Sequence, residues 1–147
     1  RIRKMGQPMR TVPQLIAKIK SDATLNTTLA GQVFADYAPQ GSTEPFVVVS
    51  VTSTDAYGTV NNCPVRAYTS RIEFDTLATS RSQAEEIADQ LEDLLDGYTT
   101  EDSGFPIQGI TLDGGASWDL LTPKDGSDQR LFVCSQDYAI HYRRNLS

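Results

Sequence analysis

The chain has 147 residues, 39% of them hydrophobic and 22% charged, with 13 Lys+Arg against 19 Asp+Glu and a net charge of -6. A chain of ~150 residues buries roughly two-thirds of its unfolded surface, enough for one domain whose core needs no disulfide or structural metal. The same figures exclude a disordered polyanion, a nucleic-acid binder acting through its whole surface, and a membrane span, since the longest apolar run (Phe46 to Val49) is strand-sized.

The 2 cysteines, Cys63 and Cys134, form no CxxC pair, which points to a reducing, intracellular place of synthesis. Residues 1–8 are basic but lack the apolar stretch of a secretory signal, and Met5 and Met9 are each an alternative start. Arg1, Arg3, Lys4 and Arg10 give residues 1–10 a charge of +4 with no acid, leaving -10 for residues 11–147. Two readings follow: a cationic terminus without a role, or an arm that ties onto an acidic neighbour such as a second copy of the chain.

A helix opens the body. Thr11 suits an N-cap, Pro13 the first turn, and Val12, Leu15, Ile16 and Ile19 fall at helical spacing with Gln14, Lys18 and Lys20 outward. After Ser21-Asp22, a further helical turn runs to Gly31 with Leu25 and Leu29 inward, and Gly31 stops it. Gln32 to Asp36 is a short strand, and the prolines and glycine of Tyr37–Pro45 make a loop. Phe46 to Thr52, β-branched and aromatic, is the strongest strand, followed by a polar connection or hairpin tip over Ser53–Pro64.

Arg66 to Leu77 alternates, with Tyr68, Ile72 and Phe74 on one face and Thr69, Arg71, Glu73 and Asp75 on the other, as in a half-buried strand. Ser82 with Glu85 reads as a capping box for a second long helix. Ala84, Ile87, Ala88, Leu91, Leu94 and Leu95 form its stripe, acids line its outer face, and Gly97 stops it. Tyr98–Pro106 reads as a loop, Ile107–Leu112 as a short strand and Asp113–Gln129 as a second long loop. Arg130 to Arg143 is a closing strand with Phe132, Cys134, Tyr138, Ile140 and Tyr142 on one face. The expected fold is α+β: a single domain over residues 11–147, with a mostly antiparallel sheet of about four to five strands and two main helices packed on one face. No internal repeat is visible.

Residues that would carry chemistry do not converge in the sequence. The single histidine, His141, lies in the closing strand and no GxSxG elbow exists. No cysteine or histidine has zinc-ligand spacing, Gly114-Gly115 lacks a following phosphate-binding Lys, and the Asp-Gly pairs lack the alternation of a calcium loop. Cys134 reads as a buried small hydrophobe and Trp118 as a core plug or an interface anchor. Neither a cofactor nor an enzymatic activity is expected.

One series of segments is recognisable: Leu15-Ile16-Ala17, Gly31-Gln32-Val33-Phe34, Tyr37-Ala38-Pro39-Gln40-Gly41, Pro45-Phe46-Val47-Val48-Val49, Arg71-Ile72-Glu73-Phe74-Asp75, the Ala84-to-Leu95 helix and Ser135-Gln136-Asp137-Tyr138. From about Met9 to Tyr142 it resembles the tail completion, or tail terminator, family of long-tailed bacteriophages. The chain departs from the family pattern in its basic arm and in Tyr98–Pro106 and Asp113–Gln129.

The resemblance implies a non-enzymatic virion protein. It would form a homo-oligomeric ring, commonly a hexamer, at the head-proximal end of the tail tube. That ring stops tube polymerisation and joins the tail to the head connector, after assembly in the host cytoplasm. Expected partners are the tail tube protein, the connector protein and passing genomic DNA that is not specifically bound, and no membrane. A head-to-tail ring needs two different patches per subunit. The residues expected to supply contacts are Arg1, Arg3, Lys4 and Arg10 of the arm, Tyr37, Pro39 and Gln40, Asp55, Tyr57 and Asn61, and Trp118 with Asp119. Six copies would sum to -36, and acidic faces on the lumen would let DNA slide without sticking. The alternatives are a neck adaptor one ring higher, a small-molecule-binding α+β domain, and a nucleic-acid binder using the arm.

Overall fold

A computed structural model of the chain describes residues 11–57, 65–100, 106–121 and 131–145. The basic arm, residues 58–64 with Asn61 and Cys63, and residues 101–105, 122–130 and 146–147 lie outside the described residues. The elements are α1 (Thr11–Ser21), α2 (Ala23–Leu29), β1 (Val33–Ala35), β2 (Phe46–Tyr57), β3 (Val65–Ala78), α3 (Arg81–Leu95), β4 (Ile107–Leu121) and β5 (Leu131–Asn145). The strands form one sheet in the order β1-β2-β3-β5-β4. All pairings are antiparallel except β1–β2, which is parallel. The fold is α+β as expected, with three helices among the described residues.

Side-chain alternation along β3 and β5 decides which face is covered. Tyr68, Ser70, Ile72, Phe74, Thr76 and Ala78 of β3 are buried, as are Cys134, Gln136, Tyr138, Ile140 and Tyr142 of β5. Helices lie over this face. Val12, Leu15 and Ile19 of α1, Leu25 and Leu29 of α2, and Ile87, Leu91 and Leu95 of α3 join it in a single core. Each fully buried Leu or Ile contributes roughly 1.5–3 kcal/mol. Phe74 and Tyr138 meet edge to face at 5.2 Å, and Tyr68 stacks on Tyr142 at 5.3 Å. The other face of the sheet carries no helix among the described residues.

Local chemistry sets the helix ends. Asp22 caps α2, its Oδ1 accepting from Leu25 N–H at 3.0 Å. Ala30 takes a left-handed conformation at φ 52°, and Gly31 follows at φ 74°, so the chain leaves the helix one residue before the expected stop. Gln32 then clamps the following loop: its Nε2 donates to Thr43 O at 2.7 Å and its Oε1 accepts from Thr43 N–H at 3.2 Å.

Three expectations are corrected. The cap of α3 is Ser80, which accepts from Gln83 N–H at 3.2 Å, so Ser82 lies inside the first turn. β2 continues through Ser53–Tyr57, because a bulge between Val51 and Ser53 keeps it paired with β3 along polar residues. β4 is a 15-residue strand that runs through Asp113–Leu121, so Trp118 and Asp119 are in a strand and not in a loop. An irregularity between Leu112 and Ala116, with Gly114 at φ 86°, absorbs the Asp-Gly-Gly segment that reads as a turn.

Candidate functional site

The sheet has two edges, and the predicted contact residues distribute between them. At the β1 edge, the loop after the strand holds Tyr37, 74% exposed, with Pro39 and Gln40 also exposed. At the opposite edge, β4 pairs with β5 on one side only among the described residues, and it carries Trp118 and Asp119. Asp55 is exposed far along β2, opposite Thr69, and Tyr57 ends that strand opposite Ala67. These positions form two or three separate patches and no converging site. Arg1, Arg3, Lys4, Arg10 and Asn61 lie outside the described residues.

Trp118 sits on the helix side of β4. Its partner across the ladder is buried Cys134, and the Arg81 guanidinium of α3 lies 5.0 Å from the centre of its ring. Arg81 is also paired with Glu85 at 2.9 Å. Trp118 stays 37% exposed and Leu120, two residues on and on the same side, 42%. A second apolar feature lies on the helix side of the other edge. There α1 and the end of β1 enclose an open groove of about 520 Å³ walled by Val12, Ile16, Ala17 and Ala35, with Lys20 and Asp36 on its rim. Composition around Ile16 and Ala17 carries no signal for this groove, which needs α1 and the end of β1 side by side.

The helix-free face is acidic at its centre. Glu73 and Asp75 project from the same side of β3, and Asp137 of β5 stands directly across from Glu73. A side-chain hydrogen bond with Asp75, partial burial and the charges of Asp75 and Asp137 raise the Glu73 carboxyl from 4.5 to about 7. Ser135 Oγ donates to Asp75 at 2.6 Å, and Arg71 pairs with Asp113 at the β4 bulge. In the Asp55 row, Thr69 Oγ1 lies 2.9 Å from His141 Nδ1. Towards one end the same face turns apolar, with Leu77 between Phe46 and Val133, and Asp119 closes the row at the β4 edge. The wet side of β3 was readable from its alternation, but the approach of Asp137 depends on strand pairing.

Two further reactive groups, Cys134 and Tyr138, lie in the core. Cys134 is fully buried, and desolvation, reinforced by Asp89, Glu85 and Asp75, pushes its thiol up to about 11. Burial also drives the Tyr138 hydroxyl well above its ordinary range. Among the described residues no group of three or more His, Cys, Asp or Glu side chains is placed to hold a metal ion. No helix among them is long and apolar enough to cross a membrane.

Among the described residues the helix-backed sheet pairs β1 and β4 on one side only, which leaves two strand edges able to meet a partner. The family comparison agrees: the model of the tail completion protein gp17 family matches residues 13–142. The chain belongs to this phage tail completion family and is a structural protein of the bacteriophage virion. No match is found among the curated proteins. A chain of a solved virion of a native gene transfer agent particle is 15% identical, covering 87% of this chain and 91% of its own, with a TM-score of 0.55, and shares the fold. Another solved chain, 15% identical over 92% of this chain and 96% of its own, reaches a TM-score of 0.48 and adds no argument.

Proposed function

We propose that this protein is the tail terminator of a long-tailed phage, a ring, commonly hexameric, seated on the head-proximal end of the tail tube. The family match over residues 13–142 carries the reading. The ring ends polymerisation by covering the growing end, and its other surface receives the head connector. Its place is the neck of the virion, reached after assembly in the host cytoplasm.

The fold supports a specific orientation. Five strands at ~4.8 Å spacing make a wall about 24 Å wide, so six walls set edge to edge close a circle roughly 46 Å across. With helices outward, the face bearing Glu73, Asp75 and Asp137 lines that circle. An acidic wall repels the phosphate backbone and gives DNA no binding site while it passes. The basic arm, at +4, has an acidic neighbour to reach in such a ring.

Electron micrographs of particles from a phage lacking this gene test the reading. The terminator assignment predicts tails longer than wild type and unattached to heads. Unattached tails of normal length would assign the protein to the neck adaptor role instead. For the wall, a ring structure with a neutral or basic channel would overturn the proposed orientation.

A further inference from the structure

We infer that neighbouring copies lock together by seating the Trp118–Leu120 ridge of one copy in the α1–β1 groove of the next. The inference rests on the ring reading above and names the contact that would close the ring. Three observations carry it. The ridge and the groove are both on the helix side of the sheet but at opposite edges, as a head-to-tail contact requires.

They also lie at one height along the strands. The ladder runs from Val33 through Val47, Thr76 and Cys134 to Trp118, and the next helix-side row runs from Ala35 through Val49, Phe74 and Gln136 to Ala116. Trp118 is thus offset from groove-lining Ala35 by two residues, ~7 Å along the strand. A closed ring has no net rise per subunit, so a modest tilt of the strands against the ring axis must take up this offset, which a much larger offset would not allow.

The surfaces match in character too. Among the described residues, Trp118 and Leu120 are two of the few large apolar side chains left exposed, and the groove walls include Val12, Ile16, Ala17 and Ala35. Lys20 and Asp36 also line the groove, and Asp36 offers an anion to Arg81, which lies over the Trp118 ring. An indole seated in an apolar pocket and ringed by polar groups is the usual centre of binding energy in an interface.

The test uses the full-length chain. Trp118 is the 1 tryptophan in the sequence, so its emission reports the contact directly. Wild type should assemble in sedimentation velocity with a concentration-dependent blue shift. Trp118→Ala and Leu120→Glu damage the ridge, and Ala17→Glu blocks the groove at an exposed helix position. Each variant should keep its circular dichroism and melting point, and each should need roughly tenfold or more protein to assemble. Mixing Ala17→Glu with Leu120→Glu leaves one intact ridge and one intact groove, so the mixture should form pairs and nothing larger, with a blue-shifted tryptophan. If the chain is monomeric in solution but caps tail tubes, the same variants are scored by the fraction of capped ends.

Folded variants that assemble as well as wild type would overturn the contact while leaving the ring intact. Variants that fail singly and also fail to pair when mixed would replace it with a symmetric contact. A wild-type chain that neither assembles nor caps tubes would remove the ring reading itself, and this contact with it.

Discussion

Glu73 is the residue at which the acidic face can be weighed. Asp75 lies two residues along on the same side, and exposed Asp137 directly across, so three carboxyls crowd one spot on the helix-free face. The Glu73 carboxyl rises from 4.5 to about 7, through its hydrogen bond with Asp75 first, then partial burial, then the two neighbouring charges. Between those two values the folded chain holds a proton that the unfolded chain has lost. The stability tied to this group is therefore complete below about pH 4.5 and is lost as the pH climbs through 7.

At ~1.36 kcal/mol per unit the displacement sets a ceiling of roughly 3 kcal/mol, and solvent access around this face reduces it to about 1 kcal/mol. Glu73→Gln keeps the shape and removes the charge. It should stabilise the protein by about 1 kcal/mol at pH 8, raising Tm by about 2–4 °C, and give no gain near pH 4. Calorimetric melts of both proteins from pH 4 to 8 measure this difference. A Glu73→Gln effect that is the same at every pH, or a loss at pH 8, would refute the picture of mutually repelling carboxyls.

Other outcomes follow from single contacts. Ser80→Ala should cost about 1 kcal/mol in urea unfolding, because it removes the α3 cap, whereas Ser82→Ala should stay within about 0.5 kcal/mol. The Tyr138 hydroxyl and the Gln136 Oε1 are buried and find no partner among the described residues, and the Gln136 amide reaches Ala88 O only at 3.3 Å. Tyr138→Phe and Gln136→Met should accordingly be near neutral or stabilising in the same assay, within about 1 kcal/mol. In the folded protein Cys134 should resist a thiol reagent at pH 8 and react only on unfolding, because it is fully buried with its thiol pushed up to about 11. Gly114→Ala, at φ 86°, should cost roughly 1–2 kcal/mol by straining the β4 irregularity.

Much of the fold was legible where one face of an element is buried along its whole length. The α3 stripe and the alternation of β3 and β5 announce themselves, because each meets the core at regular spacing. The misreadings fall where that rule lapses. Ser53–Tyr57 and Asp113–Leu121 are strands held by ladder hydrogen bonds, with exposed side chains on much of both faces, so their patterns look like loops. The true α3 cap lies two residues from a stronger-looking capping box, and only the hydrogen bond distinguishes them. Trp118 and Asp119 stood out in the sequence as expected contact residues, and both are exposed on β4, on opposite faces of the sheet. The groove at Ile16 and Ala17 and the clustering of Asp137 with Glu73 depend on the order of strands in the sheet, which joins residues far apart in the chain.

Tube growth in vitro tests the terminator assignment most directly. Purified protein added to polymerising tail tube protein should bind one end of each tube as a ring and shorten the length distribution as its concentration rises. Tubes that grow to the same lengths with and without it, their ends bare, would contradict the account.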